Sequence, residues 1–154
     1  MKKPLILVVE DEPAVRELLV SAFEFGNFDV IEAENGAEGV EETKKNIPDL
    51  IIMDVRMPIM TGFEACQILK AEESTKNIPV IFLSAYGQDA EVNTGLDLGA
   101  EEYLIKPFEV SNLIERIRHV LRKYDKSWSC VLSQLSKPLA FYKAATYLLH
   151  RQMM

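Results

Sequence analysis

The chain has 154 residues, 48% of them hydrophobic, enough for one packed domain and a short appendage. A net charge of -7 and a pI near 4.9 argue against nonspecific attraction to nucleic-acid phosphate, so no direct nucleic-acid partner is expected. Cys66 and Cys130 have no CxxC spacing, which excludes a disulfide framework and suits a reduced, cytoplasmic setting.

The opening Met-Lys-Lys-Pro and five apolar residues are too short and too soon acidic for a signal peptide. No apolar run approaches the roughly 20 residues that span a bilayer, so no membrane partner is expected. Leu5-Ile6-Leu7-Val8-Val9 reads as a strand buried on both faces, as parallel sheets require. It runs into Glu10, Asp11 and Glu12. Pro13 suits a first helical position, and Val15, Leu18, Leu19, Ala22 and Phe23 form an apolar stripe behind it. Gly26 stands where that helix should stop. Residues 28–33 are strand-like but interrupted by charge, as at a sheet edge. Asn35 with Glu38 has capping-box spacing and opens a second helix. Leu50 to Met53 is a second fully apolar strand and leads to Asp54. Thr61 with Glu64 repeats the capping signal, and Cys66 lies on the apolar face of the helix that follows. Val80 to Leu83 leads to Ser84. Gly99 closes a fourth helix, and Glu102–Ile105 is another charged, edge-like strand leading to Lys106.

Regular βα alternation over residues 4–123 predicts an open α/β sheet with helices on both faces. Ligands of such sheets bind beyond the carboxyl ends of the strands. Glu10, Asp11, Asp54, Ser84 and Lys106 all fall at those ends. Three carboxylates and one lysine do not balance: like charges about 4 Å apart repel by roughly 4 kcal/mol at an effective dielectric of 20. Either a carboxylate keeps its proton or a divalent cation enters, and an oxygen-only ligand set with room for water and phosphate favours Mg²⁺. Asp54 is the candidate nucleophile for an aspartyl phosphate, with Lys106 neutralising charge and Ser84 donating to the new phosphoryl oxygens. Tyr103 is the candidate for a rotamer change that follows movement at Ser84.

Val9-Glu10-Asp11-Glu12, Asp54-Val55-Arg56-Met57-Pro58, Leu83-Ser84-Ala85 and Tyr103-Leu104-Ile105-Lys106-Pro107-Phe108, in this order and spacing, resemble the response-regulator receiver domain. The resemblance covers residues 4–123. It implies a five-stranded parallel doubly wound sheet in the order 2-1-3-4-5. It also implies phosphorylation of Asp54 by a sensor histidine kinase or a histidine phosphotransfer protein, with Mg²⁺ held by Glu10, Asp11, Asp54 and the Arg56 carbonyl. Ser84 and Tyr103 become the switch pair, and Lys106–Pro107 a cis peptide. The chain departs from the common pattern at Glu10 and Ser84, where aspartate and threonine are frequent. Bulky Tyr86 is expected to shield the phosphoryl group from water and slow its loss.

Other chemistries fit less well. A haloacid-dehalogenase-type phosphatase would want an aspartate where Arg56 stands, and no P-loop glycine pattern occurs. His119 and His150 lie away from the acids and read as surface or packing residues. The protein is thus expected to be a signalling switch acting on a downstream protein target rather than a turnover enzyme. A phosphorelay intermediate and a phosphorylation-independent assembly module are the alternatives.

Residues 125–154 fall outside the resemblance. They carry 4 Lys/Arg against 1 Asp/Glu, whereas residues 1–124 carry 13 against 23, and this shift sets the boundary of a helical C-terminal extension. Ile114, Ile117, Leu121, Tyr124, Trp128, Val131 and Leu135 follow a 3-4 spacing that predicts one helix running on to about Ser136. Pro138 should end it, and Phe141, Tyr142, Ala145, Leu148 and Leu149 form a second stripe. Homodimerisation or partner docking through this extension is the favoured expectation, and packing on its own receiver the alternative.

Overall fold

The computed structural model describes residues 2–85, 87–125, 128 and 139–153. Among them are five strands, β1 (Leu5–Val9), β2 (Asp29–Ala33), β3 (Leu50–Asp54), β4 (Val80–Ser84) and β5 (Glu102–Ile105). The helices are α1 (Pro13–Phe25), α2 (Gly36–Asn46), α3 (Gly62–Ala71), α4 (Asp89–Asp97), α5 (Val110–Tyr124) and α6 (Leu139–Met153). All strand pairs are parallel, in the order β2-β1-β3-β4-β5. The doubly wound order is therefore as expected, with the two charge-interrupted strands at the edges.

Strand alternation divides the core into two layers. Ile6, Val8, Leu50, Ile52, Ile81 and Leu83 face α1 and α5, where Leu19, Phe23, Leu113 and Ile117 close over them. Leu7, Val9, Ile51, Met53, Val80 and Phe82 face the other way, against Ala65, Cys66 and Leu69 of α3. Local signals act where the residues place them. Pro13 opens α1, and Asn35 accepts the Glu38 amide at 2.9 Å. Thr61 and Glu64 make a reciprocal capping box. Gly99, at φ 99°, follows α4 in the left-handed region that glycine adopts without strain.

The heptad reading of the C-terminal region is corrected. α5 stops at Tyr124, and Asp125 is extended at φ -147° and ψ 110°. Ile114, Ile117 and Leu121 are buried in the layer beneath α5, while Tyr124 is exposed. Their 3-4 spacing is the core stripe of an amphipathic helix, which a coiled-coil seam shares. Trp128 is buried in the same layer. Val131 and Leu135 lie outside the described residues. Helix α6 folds back on α1 and α5, burying Tyr142, Ala145 and Leu149, with Met153 partly covered. Of the second stripe, Tyr142, Ala145 and Leu149 are thus covered by the chain itself, while Leu148 is 46% exposed.

Candidate functional site

Side-chain direction at the carboxyl edge follows from the same alternation. Glu10 continues the parity of Ile6 and Val8, and its amide still donates to the Ala33 carbonyl at 3.1 Å. Asp54 has the parity of Leu50 and Ile52. Since Val9 pairs with Met53, one further step sets Glu10 beside Asp54 on the α1/α5 side. Ser84 and Tyr103 have the parity of Phe82, so they share the opposite side. The expected residues therefore converge at one edge but straddle the sheet.

Carboxylate oxygens of Glu10, Asp11 and Asp54 lie within 4.8 Å of one another. Glu10 is only 2% exposed, whereas Asp11 is open to solvent. Lys106 reaches in from the β5–α5 loop, its Nζ 2.9 Å from Glu10 Oε2 and 3.5 Å from Asp54 Oδ2. Asp54 Oδ1 accepts the Val55 amide at 2.7 Å, and Glu10 Oε1 more weakly accepts the Glu12 amide at 3.3 Å.

The electrostatics are short of positive charge. Burial, and then the neighbouring Asp54, push the Glu10 carboxyl up to about 7 against the pull of Lys106. Burial likewise raises Asp54, opposed by Lys106 and the Val55 amide and reinforced by Asp11. Lys106 resists burial because Glu10 and Asp54 hold its ammonium above the ordinary lysine range. One lysine leaves two carboxyls inclined to keep protons, and the donors are all oxygen. This set fits a hard divalent cation such as Mg²⁺.

Ser84 is buried, and its carbonyl accepts the Lys106 amide at 2.7 Å. The Ser84 and Tyr103 side chains are hydrogen-bonded to each other, although burial is what chiefly raises the Tyr103 phenol. Tyr103 packs on Phe82 at a ring-centroid distance of 6.1 Å, close to Gly95 of α4. The Lys106–Pro107 peptide is cis. Gly62 is demanded by close approach, since a Cβ there would lie 2.1 Å from the Asp54 carbonyl oxygen. Tyr86 lies outside the described residues.

Two participants carried no sequence signal. Arg16 of α1 donates to the Glu10 carbonyl at 2.8 Å and pairs with Glu32 and Glu34 at 3.4 and 3.6 Å. Arg56, expected only for its carbonyl, places its guanidinium 2.6 Å from Glu91 and so ties the β3–α3 loop to α4. Neither set of ion pairs has a local spacing rule, because each joins separate elements of the fold.

A family profile for the response regulator receiver domain matches residues 6–118. The chain belongs to this family. The receiver is 39% identical over 123 residues to the DNA-binding dual master transcriptional regulator RpaA of a Synechocystis strain, covering 80% of this chain and 51% of that protein. It is 38% identical to the phosphate regulon transcriptional regulatory protein PhoB of Klebsiella pneumoniae, covering 77% of this chain and 52% of PhoB. The receiver chain thus spans about half the length of the curated relatives it matches. Among solved structures, a response regulator from Chloroflexus aurantiacus shares 32% identity with a TM-score of 0.74, covering 78% of this chain and 98% of that one. Chemotaxis protein CheY4 of Vibrio cholerae shares 28% identity with a TM-score of 0.73, covering 77% and 99%.

These relatives correct one expectation. The acidic composition argued for no nucleic-acid partner, yet a relative at 39% identity is a DNA-binding transcriptional regulator. Net charge over this chain describes the receiver alone, whereas such relatives are about twice the matched length. No helix of the described residues is long and apolar enough to cross a membrane.

Proposed function

We propose that this receiver accepts a phosphoryl group on the Asp54 carboxylate and uses it to switch a regulatory output. The observation that carries the reading is the acid-rich edge, where Glu10, Asp11 and Asp54 cluster and Lys106 pairs with Glu10 and Asp54. Glu10, Asp11, Asp54 and the Arg56 carbonyl would hold Mg²⁺. Bound there, the ion supplies neutralisation of the charge that builds on the transferring phosphoryl oxygens.

The donor is a phosphohistidine of a sensor kinase or phosphotransfer protein. An Asp54 carboxylate oxygen forms the new bond to phosphorus as the phosphorus–nitrogen bond breaks, and the departing imidazole takes up a proton. Lys106 lies beside Asp54 Oδ2 and moves from carboxylate partner to phosphoryl partner. The added charge of about -1.5 to -2 also draws the Ser84 hydroxyl, which must then release Tyr103. That exchange changes the packing of Tyr103 against Phe82 and α4. No external substrate is turned over. By likeness to the transcriptional regulators above, the output of the switch is control of transcription.

Incubation with acetyl phosphate and Mg²⁺ should add the mass of one phosphoryl group to the chain and none to Asp54→Asn. Equal modification of both proteins, or of neither, would remove this reading.

A further inference from the structure

Helix α6 lies outside the family match, yet it reaches the loop that delivers the Lys106 ammonium to Glu10 and Asp54. α5 has no side-chain cap of its own, because Glu109 at its N-cap makes no capping hydrogen bond. The Val110 amide, one of the unsatisfied donors of that first turn, donates instead to Thr146 Oγ1 of α6 at 2.8 Å. One helical turn on, His150 Nε2 donates to the Phe108 carbonyl at 2.9 Å. Both polar contacts flank the apolar seat of α6, where Leu149, Tyr142 and Ala145 are buried in the core layer beneath α1 and α5.

Between the nearer anchor, Phe108, and Lys106 lies only Pro107. The near end is fixed as well, by the Lys106 amide on the Ser84 carbonyl at 2.7 Å. The lysine stem therefore leaves a segment clamped at both ends, with its ammonium aimed at Glu10 and Asp54. We propose that Thr146 and His150 are positioning residues for Lys106, holding the β5–α5 loop so that the ammonium is preorganised between the two carboxylates. For phosphoryl transfer this rests on the function proposed above, and it gives α6 a part in the chemistry through placement alone.

The test uses the full chain and reads Lys106 itself. Trace acetic anhydride labels free amines, and the mass-spectrometric ratio of Lys106 to the exposed Lys44 and Lys76 reports how often its ammonium is released. Without metal or phosphodonor, a Thr146→Val/His150→Leu variant should label Lys106 faster by roughly threefold or more, as local opening becomes commoner. Lys44 and Lys76 should be unchanged. Thr146→Ser and His150→Gln, which keep an acceptor and a donor, should stay near wild type. With acetyl phosphate and Mg²⁺, the same double variant should lose maximal rate rather than donor affinity. In a Lys106→Ala background the α6 substitutions should then add no further loss.

Unchanged Lys106 labelling in the double variant, or a rate loss that adds in full to that of Lys106→Ala, overturns the proposal. If the double variant shows no melting transition, Thr146→Val alone decides on the same labelling ratio. A wild-type chain that takes no phosphoryl group would sink the function while leaving the labelling result to judge α6.

Discussion

The acidic edge and the α6 seat hold the same loop, at Lys106 and at Phe108 and Val110, and they are built on opposite principles. At the edge, polar groups are crowded beyond what their own partners satisfy, and burial leaves Glu10 with its carboxyl pushed up to about 7. Under α6, apolar side chains fill most of the space; Thr146 and His150 meet a backbone amide and a backbone carbonyl, and the Tyr142 hydroxyl is buried beside them. A region poised to accept charge gives up some stability to remain so, and a region that only holds position does not. The expectation is that mutations at the first change chemistry and pH response directly, while mutations at the second change folding free energy and reach the chemistry only through the placement of Lys106.

The largest effect should come where main chain packs directly behind the acidic edge. Gly62→Ala forces a Cβ to 2.1 Å from the Asp54 carbonyl oxygen, and this neighbour is main chain that cannot swing aside. A loss of about 4 kcal/mol or more, with Mg²⁺ binding lost alongside, is expected from denaturant unfolding and calorimetry. A mild loss with an intact metal response would show that the β3–α3 loop is softer than the packing implies.

Leu149→Ala should follow, at about 2–5 kcal/mol, because the side chain is fully buried. Its neighbour Leu148 is 46% exposed, so Leu148→Ala should stay within about 0.5 kcal/mol. Equal melting temperatures for the two variants would mean that α6 is not seated as described.

The edge should reveal itself through pH. Glu10 keeps its proton in the folded state up to about 7, whereas its ordinary value is 4.5. The folded chain therefore binds more protons than the unfolded chain across that interval. This contribution is fully present below the unfolded value and is lost as pH rises through the folded one. Asp54 is shifted in the same direction. Metal-free protein should thus lose several degrees of melting temperature between about pH 5 and pH 8, at roughly 3 °C per kcal/mol for a domain of this size. Mg²⁺ should restore most of that loss at the upper end, and Asp54→Asn should flatten the curve. Scanning calorimetry in chelator and in Mg²⁺ is the check, and a metal-free curve that rises over this interval would contradict the charge balance drawn here.

The smallest effect belongs to capping. Thr61→Ala removes half of the reciprocal box that starts α3, for about 1 kcal/mol. Because that helix carries its own cap, Lys106 labelling should not respond, in contrast to the borrowed cap at α5.

Much of the edge was legible before any coordinates. β1, β3 and β4 are unbroken apolar runs, which only a sheet covered on both faces accommodates, and their carboxyl ends carry Glu10, Asp54 and Ser84. Lys106 was legible from its place before Pro107. The salt bridge from Arg56 to Glu91 was not, nor was the support that Arg16 gives to Glu10, since these residues come together only through helix placement. The clearest miss is the run from Ile114 to Leu135. A 3-4 repeat states that one face of a helix is covered and leaves open what covers it, and Asp125 breaks the backbone where the pattern runs on.

What the sequence determined by itself was therefore periodic or punctual: buried strands, helix starts, and the chemical types gathered at strand ends. These follow from nearest-neighbour geometry, in which every second or every third to fourth side chain shares a face. Only the tertiary structure decided that α6 returns to its own domain, that its Thr146 caps another helix, and that Glu10 is buried deeply enough to hold a proton. Those outcomes depend on contacts between residues far apart in the chain, whose strength is set by burial and by distance in space, and no local pattern encodes either.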